Sequence, residues 1–239
     1  MKHMELVSRP KTKRGLETLN LLLSAAAQVI YEKGYNNSSI TDITNAAGVA
    51  SGTFYVYFDS KENMYRFLLY QCSHIIRKHL AEATANCRTR EEIERVGLRE
   101  WLNFVRLNPY VYNVIWESLY VDKQLFVDYY VNFSKAYIKG IEKAKRDGEV
   151  CANIDSESLA FALMGATNFI GLNWCIFQDR SDEFDKVVET YMKVLTKGIF
   201  TEKSRRGEDN AEKPLTPNWI RVDFSDYDDD DEGEENPGN

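Results

Sequence analysis

Residues suited to covalent chemistry are few in this sequence and poorly spaced for it. The only histidines are His3, His74 and His79. His74 and His79 lie five positions apart, whereas two metal ligands on one helical face lie four apart. The four cysteines are scattered and form no CxxC pair, and no GxSxG or P-loop motif is present. We therefore expect no catalytic residue, no metal, no cofactor and no enzymatic activity.

Binding chemistry is better represented, because the charges are segregated along the chain. Of the overall charge of −7, residues 207–239 contribute −10, which leaves +3 for residues 1–206. Residues 1–14 form a basic arm. This arm could lie in a minor groove of DNA, lie along the DNA backbone or remain in solvent, and the sequence leaves all three open. The acidic tail, residues 201–239, is expected to be disordered and solvated, with a DNA mimic or a docking segment as the alternative. No apolar run could form a signal peptide or span a membrane, so we expect a cytoplasmic protein without membrane contact.

Apolar residues recur at helical spacing almost throughout, so the sequence predicts an all-α protein of about nine helices. Gly34, Gly48, Asn108–Pro109 and Asp147–Gly148 mark helix ends. The predicted helices span about residues 16–33, 39–47, 51–58, 59–85, 91–107, 110–119, 123–147, 155–177 and 182–200. We divide the chain into the arm 1–14, a small unit 15–60, a larger helical body 61–200 and the tail 201–239.

The small unit contains the sequence "SITDITNAAGVASGTFYVYF", residues 39–58, which predicts a helix-turn-helix. Gly48 supplies the backbone freedom of the turn. Apolar side chains at helical spacing, among them Ile43 and Phe54, would hold the two short helices against the first one. The second helix could then enter the major groove of DNA. Such spacing also occurs in ordinary helical corners.

The tract "ITDITNAAGVASGTFYVYFDSKENMYRFLL" strongly resembles the DNA-binding region of the TetR family of bacterial transcription regulators. The resemblance covers about residues 16–70 and is most specific from Ala47 to Glu62. It implies an all-helical homodimer with an N-terminal helix-turn-helix DNA-binding domain and a C-terminal ligand-binding and dimerisation domain. By position it implies these DNA-binding residues: Thr41, Ser51, Gly52, Thr53, Tyr55, Val56, Tyr57 and Lys61.

Within that set, the resemblance places Ser51, Thr53 and Val56 at base edges, and Thr41, Tyr55, Tyr57 and Lys61 at phosphates. The chemistry agrees, since hydroxyl and ammonium groups donate to phosphate oxygens and valine methyls suit the thymine methyl. The alternative for both tyrosines is that they only cover the core.

The helical body is rich in tryptophan and tyrosine, which line ligand pockets between helices as well as ordinary cores. We expect a pocket for a small hydrophobic ligand among Trp101, Phe104, Trp116, Glu117, Tyr120, Phe126, Tyr130, Phe133, Met164, Asn168 and Leu172. Acyl groups, flat aromatic compounds and lipophilic cations paired with Glu117 are all open. The run "FALMGATNFIGLNW" resembles acyl-CoA-sensing members of the family and favours the first.

Small side chains in the predicted helix 155–177 (Ala160, Gly165, Ala166 and Gly171) favour a homodimer through this helix and helix 182–200. The resemblance implies a repressor that binds a palindromic double-stranded DNA operator as a dimer and is released by its ligand. The alternative is a helical ligand-binding or protein-binding module that acts as an activator or has lost DNA recognition.

Overall fold

The computed structural model describes residues 6–174 and 184–197. Within these ranges the chain forms nine α-helices and no β-strand. The helices are α1 (Lys13–Lys33), α2 (Ile40–Ala46), α3 (Ser51–Tyr57), α4 (Lys61–Thr84), α5 (Arg90–Leu107), α6 (Tyr110–Val121), α7 (Lys123–Arg146), α8 (Ser156–Leu172) and α9 (Phe184–Lys197).

Short polar side chains start most of these helices. Ser39 and Asp42 form a reciprocal capping box at the start of α2, in which each side chain accepts from the other's backbone N–H. Ser60 caps α4 by accepting from the backbone N–H of Asn63. Gly48, with φ of 66°, supplies the left-handed conformation in the turn between α2 and α3. The local sequence thus fixes where the helix-turn-helix begins and turns.

Helix α1 packs on α2 on one side and on α4 and α6 on the other. The remaining helices pack in pairs, with α5 on α4, α7 on α6 and α8 on α7. Large side chains fill the core, and both Tyr65 of α4 and Tyr112 of α6 are almost completely buried. All described helices belong to one compact unit, Met1–Gly198.

The all-α prediction is confirmed, and the described helix bounds differ from the predicted ones by only a few residues. Helix α8 ends at Leu172, and residues 175–177 of the predicted helix lie outside the described residues. The same holds for residues 182, 183 and 198–200 of the predicted last helix and for the acidic tail. None of the helices described is both long and apolar enough to cross a membrane.

Two of the small residues predicted to face a partner subunit are instead buried within the chain. Ala160 is fully buried, and Gly171 packs against the Tyr112 hydroxyl and the Trp101 indole. Gly165 and Ala166 lie on the open side of α8. Helical spacing puts residues on both faces of α8, and the packing of α5 and α6 decides which face each one occupies.

We expect Gly171→Ala to lower the free energy of unfolding by about 1–3 kcal/mol, because the new methyl group would overlap the buried Tyr112 hydroxyl. It would also lie 2.9 Å from Trp101 Nε1. Urea unfolding followed by circular dichroism measures the change. Gly97→Ala in α5 is the control, since no atom lies within 4 Å of its new methyl group. Equal stability of the two variants would contradict this packing.

Candidate DNA-binding surface and ligand cavity

Helix α3 presents one open face and one buried face. Phe54 and Phe58 are buried, as predicted for core residues. Tyr55 and Val56 are exposed over 59% and 61% of their surface, although both are large and mostly apolar. Together these two side chains give α3 an open, partly apolar face.

The other residues predicted at bases and phosphates lie around this face. Ser51, Gly52 and, at the start of α2, Thr41 are exposed, and Thr53 is half-buried. The small residues at the start of α3 leave its backbone accessible, while Tyr55 and Val56 project from the same short helix. The structure therefore leaves this part of the predicted set accessible to a partner molecule.

Tyr57 does not belong to that surface, which corrects the sequence-based expectation. Its side chain is only 7% exposed, and its hydroxyl donates to the backbone carbonyl of Gly15 at 3.0 Å. The backbone carbonyl of Tyr57 also accepts from the N–H of Ser8 at 2.8 Å. Tyr57 thus joins the end of α3 to the start of α1, because helix packing rotates it inward.

Lys61 is partly engaged inside the protein as well. Its ammonium group donates to the carbonyls of Tyr35 at 2.7 Å and Ser38 at 2.8 Å, and it lies 4.2 Å from the centre of the Tyr35 ring. Partial burial lowers the pKa of Lys61. A phosphate contact would use the one ammonium hydrogen that remains.

The basic arm is attached to the helix-turn-helix over the part that the structure describes. Leu6 is buried, and the Ser8 N–H bond places the arm beside the end of α3. Four cations of the arm and the first turn of α1 are exposed and make no ion pair with any described residue: Arg9, Lys11, Lys13 and Arg14. The arm that carries these cations is thus bonded to the last residue of α3.

Glu117 of α6, which was predicted to line a ligand pocket, instead forms a link to the small N-terminal unit that contains the helix-turn-helix, here called the DNA-binding unit. Its carboxylate accepts a hydrogen bond from the backbone N–H of Tyr35, in the turn between α1 and α2. The Tyr35 carbonyl in turn accepts from Lys61 of α4. Nearby, the buried Tyr65 hydroxyl donates to the Val114 carbonyl of α6 at 2.6 Å. These bonds tie α1, α4 and α6 together.

A cavity of about 450 Å³ lies in the helical body among α4, α5, α7 and α8. Its volume is within the range of small-molecule sites in proteins. The structure places five of the predicted ligand-binding residues in its wall: Trp101, Tyr130, Phe133, Met164 and Asn168.

The other six predicted ligand residues lie outside this cavity. Trp116 and Tyr120 are on the outer face of α6, exposed over 40% and 83% of their surface. Phe104 packs against His79, and Phe126 packs against Tyr130 from outside the wall. Leu172 is buried in the core. Glu117 accepts the hydrogen bond from the turn after α1.

Sequence reasoning missed the wall that α4 and the first half of α5 provide. Arg77, Leu80, Ala81 and Thr84 come from α4, and Arg90, Ile93, Glu94, Gly97 and Leu98 from α5. A search for aromatic residues passes over these positions. The signal that could have found them is Arg90 and Glu94, an ion pair at i, i+4 on the side of α5 that also carries Trp101.

A mostly buried ionic group forms part of the cavity wall. Arg90 donates to the Glu94 carboxylate through Nε at 2.8 Å and through Nη2, and its guanidinium lies 4.6 Å from the centre of the Tyr137 ring. The Tyr137 hydroxyl donates to the other Glu94 oxygen. Burial, followed by the nearby Glu94 charge, raises the pKa of Tyr137 well above its ordinary value. The hydroxyl therefore stays protonated and the carboxylate stays paired.

A helix-turn-helix with an exposed face on α3, a basic arm bonded to the end of α3 and a helical body with a cavity together form an architecture typical of DNA-binding regulators. The family model described as "Bacterial regulatory proteins, tetR family" matches residues 22–66. The helix-turn-helix region of this chain is thus of the TetR-family type.

The relatives and the fold agree with this assignment. An uncharacterised HTH-type transcriptional regulator of Lactococcus lactis is 34% identical over 88 residues, which are 37% of this chain and 43% of that protein. The HTH-type transcriptional repressor KstR2 of Rhodococcus jostii is 28% identical, over 74% of this chain and 89% of the relative.

Among solved structures, FadR of Bacillus subtilis, a transcriptional regulator in complex with stearoyl-CoA, superposes with a TM-score of 0.66 at 20% identity. The superposition covers 76% of this chain and 99% of that one. The relatives named above are transcription regulators rather than enzymes. In the part of the chain that the structure describes, no cluster of three or more His, Cys, Asp or Glu residues could hold a metal ion.

We expect the hydroxyls of Tyr55 and Tyr57 to have different roles. Tyr55→Phe should weaken DNA binding severalfold without changing stability, because its side chain is open to solvent. Tyr57→Phe should lower the free energy of unfolding by about 0.5–1.5 kcal/mol, since the bond to Gly15 is lost. Fluorescence anisotropy with labelled duplex DNA and urea unfolding measure the two effects. A stability loss in Tyr55→Phe alone would reverse the assignment.

Glu117→Ala should loosen the turn between α1 and α2, because the Tyr35 N–H loses its acceptor. The expected cost is about 1–3 kcal/mol in the free energy of unfolding. Amide hydrogen exchange at Tyr35 should speed up in Glu117→Ala. Glu117→Gln is the matched control, since its amide oxygen can still accept the bond. Unchanged exchange at Tyr35 in Glu117→Ala would show that the link does not hold the turn.

Proposed function

We propose that this protein is a homodimeric transcription repressor that binds a palindromic operator in double-stranded DNA and is released by a small hydrophobic ligand. The observation that carries the proposal is the separation of two sites in one fold. An exposed face of α3 and a basic arm bonded to the end of α3 lie at one site, and a cavity in the helical body is linked to that region through α4 and α6.

For DNA recognition we assign base contacts to Ser51, Thr53 and Val56, and phosphate contacts to Thr41 and Tyr55, with Gly52 allowing close approach. These side chains offer hydroxyl and methyl groups, and α3 carries no arginine or asparagine for a bidentate base contact. Much of the specificity therefore rests on DNA shape and on the cations of the basic arm. The remaining ammonium hydrogen of Lys61 adds a phosphate contact.

Helices α8 and α9 form the proposed dimer interface. The open face of α8 carries a stripe at helical spacing, made of Ala162, Gly165, Ala166 and Phe169. Phe169 is 61% exposed and contacts the exposed Trp116 ring of α6, with ring centres 6.2 Å apart. Small residues flanked by an exposed aromatic ring suit close packing against a second copy. Two recognition helices about one DNA turn apart can then read a palindrome.

The cavity favours an acyl ligand over a lipophilic cation. Glu117, the expected counter-charge for a cation, lies outside the cavity, and Glu94 is already paired with Arg90. Most of the wall is apolar, formed by residues such as Leu98, Phe133 and Met164. FadR of Bacillus subtilis, which has the same fold, was solved with stearoyl-CoA. A long acyl chain, free or as a CoA thioester, is therefore the ligand we propose.

Ligand binding would act on DNA through α4 and α6. Helix α4 carries cavity residues near its end and Lys61 at its start, and α6 holds the Tyr35 turn through Glu117. A ligand that prefers one tilt of α4 would change the spacing of the two recognition helices. The size of the effect is limited by the difference in ligand affinity between the two states.

We also propose that the protein has no catalytic activity and that it acts in the cytoplasm, where bacterial DNA lies. The competing function is an activator, or a helical ligand-binding or protein-binding module that no longer recognises DNA. Tyr55 and Val56 are exposed on the helix to which the basic arm is bonded, and this exposure supports retained DNA binding.

Selection of bound duplexes from a random pool should yield a palindrome whose half-sites are about one DNA turn apart. Light scattering should show two protein copies on one such duplex. Palmitoyl-CoA should weaken this complex at least about tenfold in fluorescence anisotropy. A scrambled duplex is the control. Failure to enrich any sequence would refute the DNA-binding function, and unaltered affinity at saturating palmitoyl-CoA would refute induction by this ligand.

A further inference from the structure

A second, smaller cavity adjoins the large one and differs from it in polarity. Its volume is about 240 Å³, and it lies between α4 and α7. Arg77 and Tyr129 belong to the walls of both cavities. The small cavity adds polar side chains that the large one lacks, namely Ser73, Asp128 and Asn132. The boundary at Arg77 thus separates a mostly apolar space from a polar one.

Arg77, which is exposed to solvent, carries the positive charge of this boundary. Its Nε donates to the Ser73 carbonyl of its own helix at 3.2 Å, and it makes no ion pair with a carboxylate of the described residues. Arg90, the other cation of the large cavity, is engaged by Glu94. A guanidinium with its remaining N–H groups unpaired can hold a carboxylate or phosphate through two parallel bonds.

The groups around Arg77 are mostly hydrogen-bond donors. Burial raises the pKa of Tyr129 well above its ordinary value, so its hydroxyl remains a donor, and Arg77 lies near enough to oppose that rise. The amide oxygen of Asn132 accepts from Lys135 at 2.9 Å, which leaves its NH₂ group for a ligand. Asp128 is the one acid in this wall, and its Oδ1 accepts from Gln124 at 2.8 Å.

We propose that the two cavities hold one amphiphilic ligand, with its acyl chain in the large cavity and an anionic group bound by Arg77 in the small one. This inference rests on the proposed acyl ligand and adds to it the residue that selects the charged end. The shared chemistry is a long alkyl chain that ends in an anion. The anion is either the carboxylate of a free fatty acid or a phosphate of an acyl-CoA.

The test compares palmitate, palmitoyl-CoA and the uncharged hexadecanol, each titrated below its micelle concentration into the full-length protein and followed by isothermal calorimetry. The wild type should bind one or both anionic probes more tightly than hexadecanol, and this preference should fall as salt is raised. Arg77→Gln should weaken the preferred anionic probe at least about tenfold and leave hexadecanol unchanged.

Two further variants separate charge from folding. Arg77→Lys should restore part of the preference because it keeps the charge. Lys78→Gln is the matched control, since Lys78 is exposed on the next position of α4 and lines neither cavity. Circular dichroism and urea unfolding establish that all variants are folded.

The outcomes are distinct. Loss of palmitate binding alone in Arg77→Gln identifies a carboxylate, and loss of palmitoyl-CoA binding identifies a phosphate; either supports the proposal. If the wild type binds hexadecanol as tightly as the anionic probes and Arg77→Gln changes nothing, the role of Arg77 is refuted while an acyl ligand stands. If the wild type binds none of the three, the acyl ligand and this inference both fail.

Discussion

The contact between α6 and the turn after α1 is the constraint on which the rest of this structure depends. A helix-turn-helix of this size has little core of its own and must pack against a larger body to be stable. Here the Glu117 carboxylate holds the Tyr35 N–H, and the buried Tyr65 hydroxyl holds the Val114 carbonyl. Both bonds satisfy polar groups that would be costly to bury unpaired. They also make the position of α3 depend on the position of α6.

Further contacts connect α6 to the wall of the large cavity. Tyr112 of α6 donates to the Asn168 carbonyl of α8 at 3.0 Å, and its ring packs edge-on against Trp101, with centres 5.8 Å apart. Trp101 and Asn168 are both part of the cavity wall. A ligand that shifts these side chains would therefore act on α6 directly. A ligand that binds the Arg77 guanidinium would act on α4. The start of α4, through Lys61, and the Glu117 side chain of α6 both contact the turn after α1 in the DNA-binding unit.

The sequence was sufficient for the helices and for the position of the helix-turn-helix. Their bounds follow from local signals, such as the Ser39–Asp42 capping box and the glycine at position 48, which do not depend on distant parts of the chain. The ligand site was predicted only in part. Aromatic residues such as Trp101 and Phe133 do line the cavity, but Trp116 and Tyr120 face outward.

The sequence by itself determined the helical pattern, the uneven charge and the place of the recognition helix, because each is set by side chains close together along the chain. Only the tertiary structure decided how each helix is rotated about its axis. That rotation buried Tyr57 against Gly15, turned Glu117 toward Tyr35 and placed Arg77 between two cavities. The rotation of a helix is fixed by its simultaneous packing against several other helices. The spacing of apolar residues along one helix does not reveal which helices those are.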